Sequence, residues 1–426
     1  MNRQGYLFRI NNSRSGHRAL AAGAAALLAG GLALAAPASA LAATGSVSLT
    51  QQQLSQLQAL VDSDPGAYAG LWVDSKTGIA HLDSSDGSLT ANAAARALPT
   101  ADGASAAWRL EIDPAKYSGA QLGAVESAVT GTGAFKHALA ASGAQWSTVG
   151  VDPTRDQVEI GVTKITKGLQ AAVEAQFGEK AYLTVQRTAT STVAQVPNSQ
   201  LAKFLSHAAR PSHVAINPQD RGTSSNSDVA PWYGGDLTAY VQGGTTYICT
   251  LGYEFADYTM STAGHCGSTS QAFYQLTNGA SQGSTISTQW GNGRIDLKKI
   301  DGSTYSPYIW TSSTASVGVS GYTNATVGMD VCTDGAVTGQ SCGLVTDVNI
   351  TVNDTSPDGT AGTTFQDEIT SGSVLCSGGD SGGPAYKEGT ATAVGTISSE
   401  SDGGKTCFIN DMKQITHVFG DGPKTA

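Results

Sequence analysis

The sequence predicts an all-β domain in the C-terminal half, preceded by a smaller α/β domain. Three observations carry this prediction. From Ala230 onward, short β-type runs at 247–251, 315–319, 345–350 and 393–397 sit between Gly/Ser/Thr/Asn turns, the pattern of a barrel or sandwich. All six cysteines fall in this half. Upstream, cysteine-free sequence shows helical apolar spacing interleaved with paired alternating runs.

In chain order, residues 1–40 read as an export signal. Arg3, Arg9, Arg14 and Arg18 form a basic start without any acid, 19–36 is an Ala/Leu/Gly run, and Ala38-Ser39-Ala40 is an A-x-A cleavage site. The run is weakly apolar and ends in Pro37 and small residues, which argues against a membrane anchor. Residues 41–225 form the α/β domain. Thr50 with Gln53 makes a capping box ahead of Leu54, Leu57, Leu60 and Val61 on one helical face. A hairpin follows, 70–74 and 79–82 around Ser75-Lys76-Thr77-Gly78. The pattern repeats at 121–129, 149–152 and 157–160, a weak internal duplication. A third helix over 168–177 stops at Gly178 and leads to a strand at 182–185. His81, His137, His207 and His213 are each isolated here and read as structural or exposed. The stretch 216–229 is polar, rich in breakers and without apolar period, the kind of segment where nicking concentrates. The third segment, 226–426, holds the β-type runs and ends in a helix near 411–419.

Composition narrows the function. The net charge is −10, and from Asn226 onward 19 acidic residues stand against 7 basic ones. That balance argues against nucleic acid, because phosphate binding needs a basic surface. Cys249, Cys266, Cys332, Cys342, Cys376 and Cys407 are an even set confined to one domain, which reads as three disulfides in an exported chain. Zinc is not indicated, since there is no Cys-x-x-Cys pair and only His265 and His417 lie nearby. Counting leaves the connectivity open; the simplest pairing is sequential.

Two motifs carry chemistry. Gly379-Asp380-Ser381-Gly382-Gly383-Pro384 wraps a serine in glycines, with a carboxylate just before it. A nucleophilic serine needs a bare Oγ and free backbone N–H groups beside it, and glycines supply both. Thr262-Ala263-Gly264-His265-Cys266 places a histidine in a half of the chain that is nearly histidine-free. Imidazole titrates near neutrality and can take and return the serine proton.

Together, and in the order His before Ser, these blocks resemble the chymotrypsin-like serine proteases, in particular the secreted bacterial α-lytic protease and streptogrisin group. The resemblance covers about 200 residues and implies two six-stranded antiparallel barrels with the site between them. It implies Ser381 as nucleophile, His265 as base and Asp296, between them, as the orienting carboxylate, with Asp301 as the alternative. Lys298-Lys299 stands where an apolar pair is expected. The oxyanion hole falls to the N–H groups of Gly379 and Ser381. Asp380 supports that loop, yet Thr333 occupies the place of the arginine that usually pairs with it, so a lysine, an N-terminus or several hydrogen bonds must substitute. The implied bridges are Cys249–Cys266, Cys332–Cys342 and Cys376–Cys407. Ser398, Ser399 and Glu400 match the wall of the substrate pocket, with Glu400 narrowing the pocket, favouring a basic side chain, or pointing to solvent.

The resulting expectation is a secreted, monomeric, cofactor-free serine endopeptidase acting on proteins or peptides, with no nucleic-acid or membrane partner after signal removal. Residues 41–225 would be a pro-region that assists folding and then inhibits. The alternatives are a catalytically impaired binding protein on the same fold and, more weakly, a serine esterase.

Overall fold

Thr50 and Gln53 exchange hydrogen bonds, each side chain taking the other's backbone N–H at 3.2 and 3.1 Å, and so start the helix Gln51–Ser63. In this computed structural model residues 47–98, 107–131, 133–191, 193–196 and 228–426 are described, with 292, 294, 313, 358 and 360 excepted. Residues 1–40, read above as an export signal, and most of 216–229 lie outside the described residues. Leu54, Leu57 and Val61 of the first helix bury against a four-stranded sheet ordered Val47–Leu49, Trp108–Pro114, Ile79–Ser84, Tyr68–Asp74. A second unit packs helices Gly119–Thr130, Ala134–Ser142 and Lys167–Phe177 against strands Trp146–Asp152, Gln157–Val162 and Ala181–Val185, with Phe135, Val158, Ile160 and Leu169 wholly buried. Both units share one connection: an antiparallel hairpin, a helix, then a strand parallel to the hairpin's second strand. The sequence repeat is thus a repeat of topology. His81 stacks on Trp72 at 3.8 Å and meets Asp113 at 2.7 Å, a structural role.

The C-terminal half forms two barrels. In the second, strands Asp330–Gly335, Pro384–Lys387, Thr392–Ser401, Thr406–Asp411, Ala361–Thr370 and Gly339–Thr355 pair in that order, and the last pairs back to the first. Val331, Val345, Ile369, Ala385, Val394 and Ile409 fill it. The first runs Met260–Thr262, Leu297–Asp301, Ser281–Gln289, Ala272–Tyr274, Leu237–Gln242 and Thr245–Thr250. Its ring closes through Gly252 N–H to Ser261 O (2.8 Å) and Ser261 N–H to Tyr253 O (3.0 Å). Burying one side chain such as Phe273 there contributes about 1.5–3 kcal/mol. The cysteines join in sequence order: Cys249–Cys266, Cys332–Cys342 and Cys376–Cys407. Three bridges suit an oxidising compartment.

The two halves of the chain share sheets. The hairpin Gly339–Thr355/Ala361–Thr370 overshoots the second barrel, and Thr351 and Val352 pair with Val149 and Thr148. Further on, Ala189–Thr190 lies beside Thr392–Ser401, and Ala194–Val196 adds to Thr245–Thr250.

Carboxylates from both halves meet at this junction. Glu368 accepts from Gln186 Nε2 at 2.7 Å and from the Thr346 hydroxyl at 3.0 Å; burial raises it to about 7, and Glu159 adds to the shift. Asp347, beside it, is driven up by burial and then by Glu368, Glu159 and Asp152. A carboxyl raised on folding contributes stability that is complete below about pH 4 and is lost as pH rises through about 7. The hold between the halves is therefore expected to weaken between pH 5 and 8, by about 2–3 kcal/mol for Glu368. Melting of the uncut Ser381→Ala chain should show Tm falling over that range, and Glu368→Gln should flatten the fall. A Tm that rises with pH would refute this.

Candidate active site

His265 follows the strand Met260–Thr262, and Asp296 precedes Leu297–Asp301, which pairs with it. That neighbouring register brings residues 31 positions apart into contact. Asp296 Oδ2 lies 2.6 Å from His265 Nδ1, and Oδ1 accepts the His265 backbone N–H at 2.8 Å. Both side chains are fully buried. Gly264 makes the approach possible, since a Cβ there would sit 2.8 Å from Asp296 Oδ1 and 2.1 Å from Gln289 O.

Two residues that sequence reasoning left without this role complete the pair. Ser398, expected only as pocket wall, donates its hydroxyl to Asp296 Oδ2 at 2.7 Å. Asn410 exchanges backbone bonds with Asp296: its Oδ1 takes the Asp296 N–H at 2.7 Å and its Nδ2 donates to the Asp296 carbonyl at 2.8 Å. A buried asparagine amid the apolar run Cys407-Phe408-Ile409 was the available signal. Asp301 is exposed and bonds the N–H of Gly302, away from His265.

Ser381 comes from the second barrel, on the loop before Pro384–Lys387. Its Oγ donates to the Ser398 carbonyl at 3.3 Å, so Ser398 touches both Ser381 and Asp296. His265 Nε2 is buried without a hydrogen-bond partner, so the Ser381–His265 bond is not made in this state. Gly379, at φ +101°, gives the loop its left-handed turn, and its carbonyl accepts from Thr250 Oγ1 at 2.9 Å.

Asp380 is held by main chain. Its carboxylate accepts the N–H groups of Val337 and Thr338 at 2.8 and 3.0 Å and of Ser377 at 2.8 Å. Burial raises its pKa, and hydrogen bonds from the Thr338 side chain and from the Thr338, Ser377 and Val337 N–H groups oppose the rise. Several hydrogen bonds thus take the place of the arginine, and Thr333 instead bonds the Leu375 carbonyl at 2.9 Å. The neighbouring Asp334 is raised to about 8, by burial first and Asp380 second. Among the pocket residues, Ser399 bonds Gln366 Oε1 at 3.3 Å. Glu400 turns back to cap the Gly404 N–H at 2.8 Å, which takes up its charge locally.

Lys298 and Lys299 explain the departure noted in the sequence. Lys298 Nζ is buried and donates to the carbonyls of Cys266, Gly267 and Ser268 at 2.6, 3.0 and 3.0 Å, tying down the loop that carries His265. Burial lowers this ammonium to about 8, with Asp296 opposing. Lys299 bridges Asp257 and Asp421 at 2.9 and 2.7 Å.

No protein-family model matches the chain. Streptogrisin-C of Streptomyces griseus is 30% identical over 235 residues, which is 51% of this chain and 48% of that protein. The chain thus spans about half the length of that relative. Among solved structures, a Cellulomonas bogoriensis chymotrypsin is 28% identical, with 46% of this chain and 98% of that one covered at a TM-score of 0.38. Thermobifida fusca protease A is 26% identical, with 46% and 98% covered at a TM-score of 0.38. With its paired β-barrels and its similarity to streptogrisin-C, this chain resembles the chymotrypsin-like bacterial serine proteases.

Proposed function

We propose that this chain is a serine endopeptidase made as an exported precursor, with residues 41–225 acting as its pro-region. The observation that carries the reading is the buried His265–Asp296 pair beside Ser381 at the barrel junction. In the proposed cycle Ser381 Oγ attacks the peptide carbonyl while His265 Nε2 takes its proton, and His265 then gives that proton to the leaving amine. Water resolves the acyl-enzyme by the same route. Asp296 keeps the proton on Nδ1 and stabilises the imidazolium. The N–H groups of Gly379 and Ser381 hold the oxyanion, each such donor being worth about 3–4 kcal/mol. Catalytic hydrogen bonds of this kind commonly tighten only when substrate binds.

Intact mass of the secreted protein with and without a fluorophosphonate tests this. A single adduct that disappears in Ser381→Ala is the expected result, and the starting mass locates the mature N-terminus. No adduct on a folded, processed chain would favour a binding protein on the same fold.

A further inference from the structure

A segment of the N-terminal half crosses the candidate active site. On one side Thr190 pairs antiparallel with Glu400, while Ala189 and Thr190 run beside Asp354 and Thr355. On the other side Ala194, Gln195 and Val196 pair antiparallel with Ile248, Tyr247 and Thr246. A Cβ on Gly379 would come within 3.1 Å of Ala194 Cβ, so the segment passes directly over the serine loop. An extended chain paired on both barrels is how a peptide substrate is held.

Two contacts on the acyl side of this segment are specific to side chains. Ser191 is wholly buried; its N–H donates to Asp354 Oδ1 at 2.9 Å and its hydroxyl donates to Asp354 Oδ2. Asp354 is itself wholly buried, at the end of Gly339–Thr355, and its other bond is to the Thr355 N–H at 2.7 Å. It lies within electrostatic range of Asp296 and His265. Two residues earlier, Ala189 is fully buried in an apolar slot of Ile350, Val352 and Phe408. Without this segment, Asp354 Oδ2 loses the Ser191 hydroxyl that donates to it.

Resting on the endopeptidase reading above, we propose that Asp354 is a specificity-determining residue. It selects peptides that present a serine or threonine hydroxyl at the position of Ser191, with a small apolar residue two places earlier. A fully enclosed contact to a short hydroxyl leaves no room for a longer cationic side chain. The peptide is then cut on the C-terminal side of the Ser191 position; water adds hydroxyl to the carbonyl carbon and a proton to the released amine.

The test uses the secreted, fluorophosphonate-reactive protein and a synthetic peptide of residues 186–197, alongside peptides carrying Ser191→Ala or Ser191→Lys. With the unaltered enzyme, Ser191→Ala should lower kcat/KM about 10- to 100-fold. With Asp354→Ala enzyme, the two peptides should differ less than about 3-fold, the loss expected if the hydroxyl acts through Asp354. Equal rates on all three peptides, or faster turnover of the Ser191→Lys peptide, overturn the proposal. The peptide series on the unaltered enzyme decides the matter even if Asp354→Ala fails to fold. Absence of any turnover and of any adduct would instead sink the endopeptidase reading, and this one with it. Hydrolysis of an unrelated unfolded protein without discrimination among the peptides sinks this one alone.

Discussion

Replacing Asp296 with asparagine is expected to lower kcat by ~10⁴ with little change in KM. Asp296 is an acceptor on every side: His265 Nδ1 and the Ser398 hydroxyl meet Oδ2, and the His265 backbone N–H meets Oδ1. An asparagine has one acceptor and one donor to offer. If its Nδ2 faces Nδ1, the imidazole must carry its proton on Nε2, the nitrogen that has to receive the serine proton. If its Nδ2 faces the backbone N–H, two donors are forced together in a buried site. Either arrangement costs the transition state what the ground state does not need. Asp301→Asn is the control, and because Asp301 is exposed and bonds only its own turn, its effect should stay within about 2-fold. Steady-state rates on a peptide substrate check both. A loss under about 10-fold at Asp296, or a large loss at Asp301, would take the orienting role away from Asp296.

The site was legible in the sequence to the extent that its parts are side chains with rare local settings. Ser381 among glycines and His265 beside Cys266 stand out by composition, while Asp296 was singled out only by the resemblance, with Asp301 as the alternative. What held Asp380 was not legible, because its nearest partners are the N–H groups of Val337, Thr338 and Ser377. Every residue carries such a group, so only the fold says which ones converge. Asn410 and Ser398 are 114 and 102 residues from Asp296, and their contacts come from strand pairing in the second barrel. The placement of Ala189–Thr190 and Ala194–Val196 beside the two barrels has the same origin. These strands are two and three residues long, too short to show a period, and they exist because barrel edges accept them. Longer elements with strong patterns, such as Gln51–Ser63 behind its capping box, were plain from sequence. The helix Ala91–Arg96 was not, being short and mostly alanine with no apolar face to count.

Lys298→Met should destabilise the C-terminal half by about 1–3 kcal/mol, a Tm loss of several degrees, and should reduce kcat as well. Methionine is similar in length to the lysine stem and can keep the packing against Phe273, over which the ammonium sits at 5.6 Å, so the change removes chiefly the ammonium head. What it removes is the donor to three consecutive carbonyls, those of Cys266, Gly267 and Ser268. Those oxygens are then left without Nζ in a loop that starts one residue after His265. The loop can recover its hydrogen bonds only by turning toward water. That motion pulls on the Cys249–Cys266 bridge and on the imidazole together. The loss should therefore show as a kcat effect in correctly folded protein, measured below the lowered Tm, with fluorophosphonate labelling slowed in parallel. Lys298→Arg keeps the charge and several donors, and should recover more of the rate than of the stability, since the larger head must fit a fully buried site. If Lys298→Met melted normally and turned over at the normal rate, the lysine would be a passive filler and the histidine loop would be held by the disulfide alone.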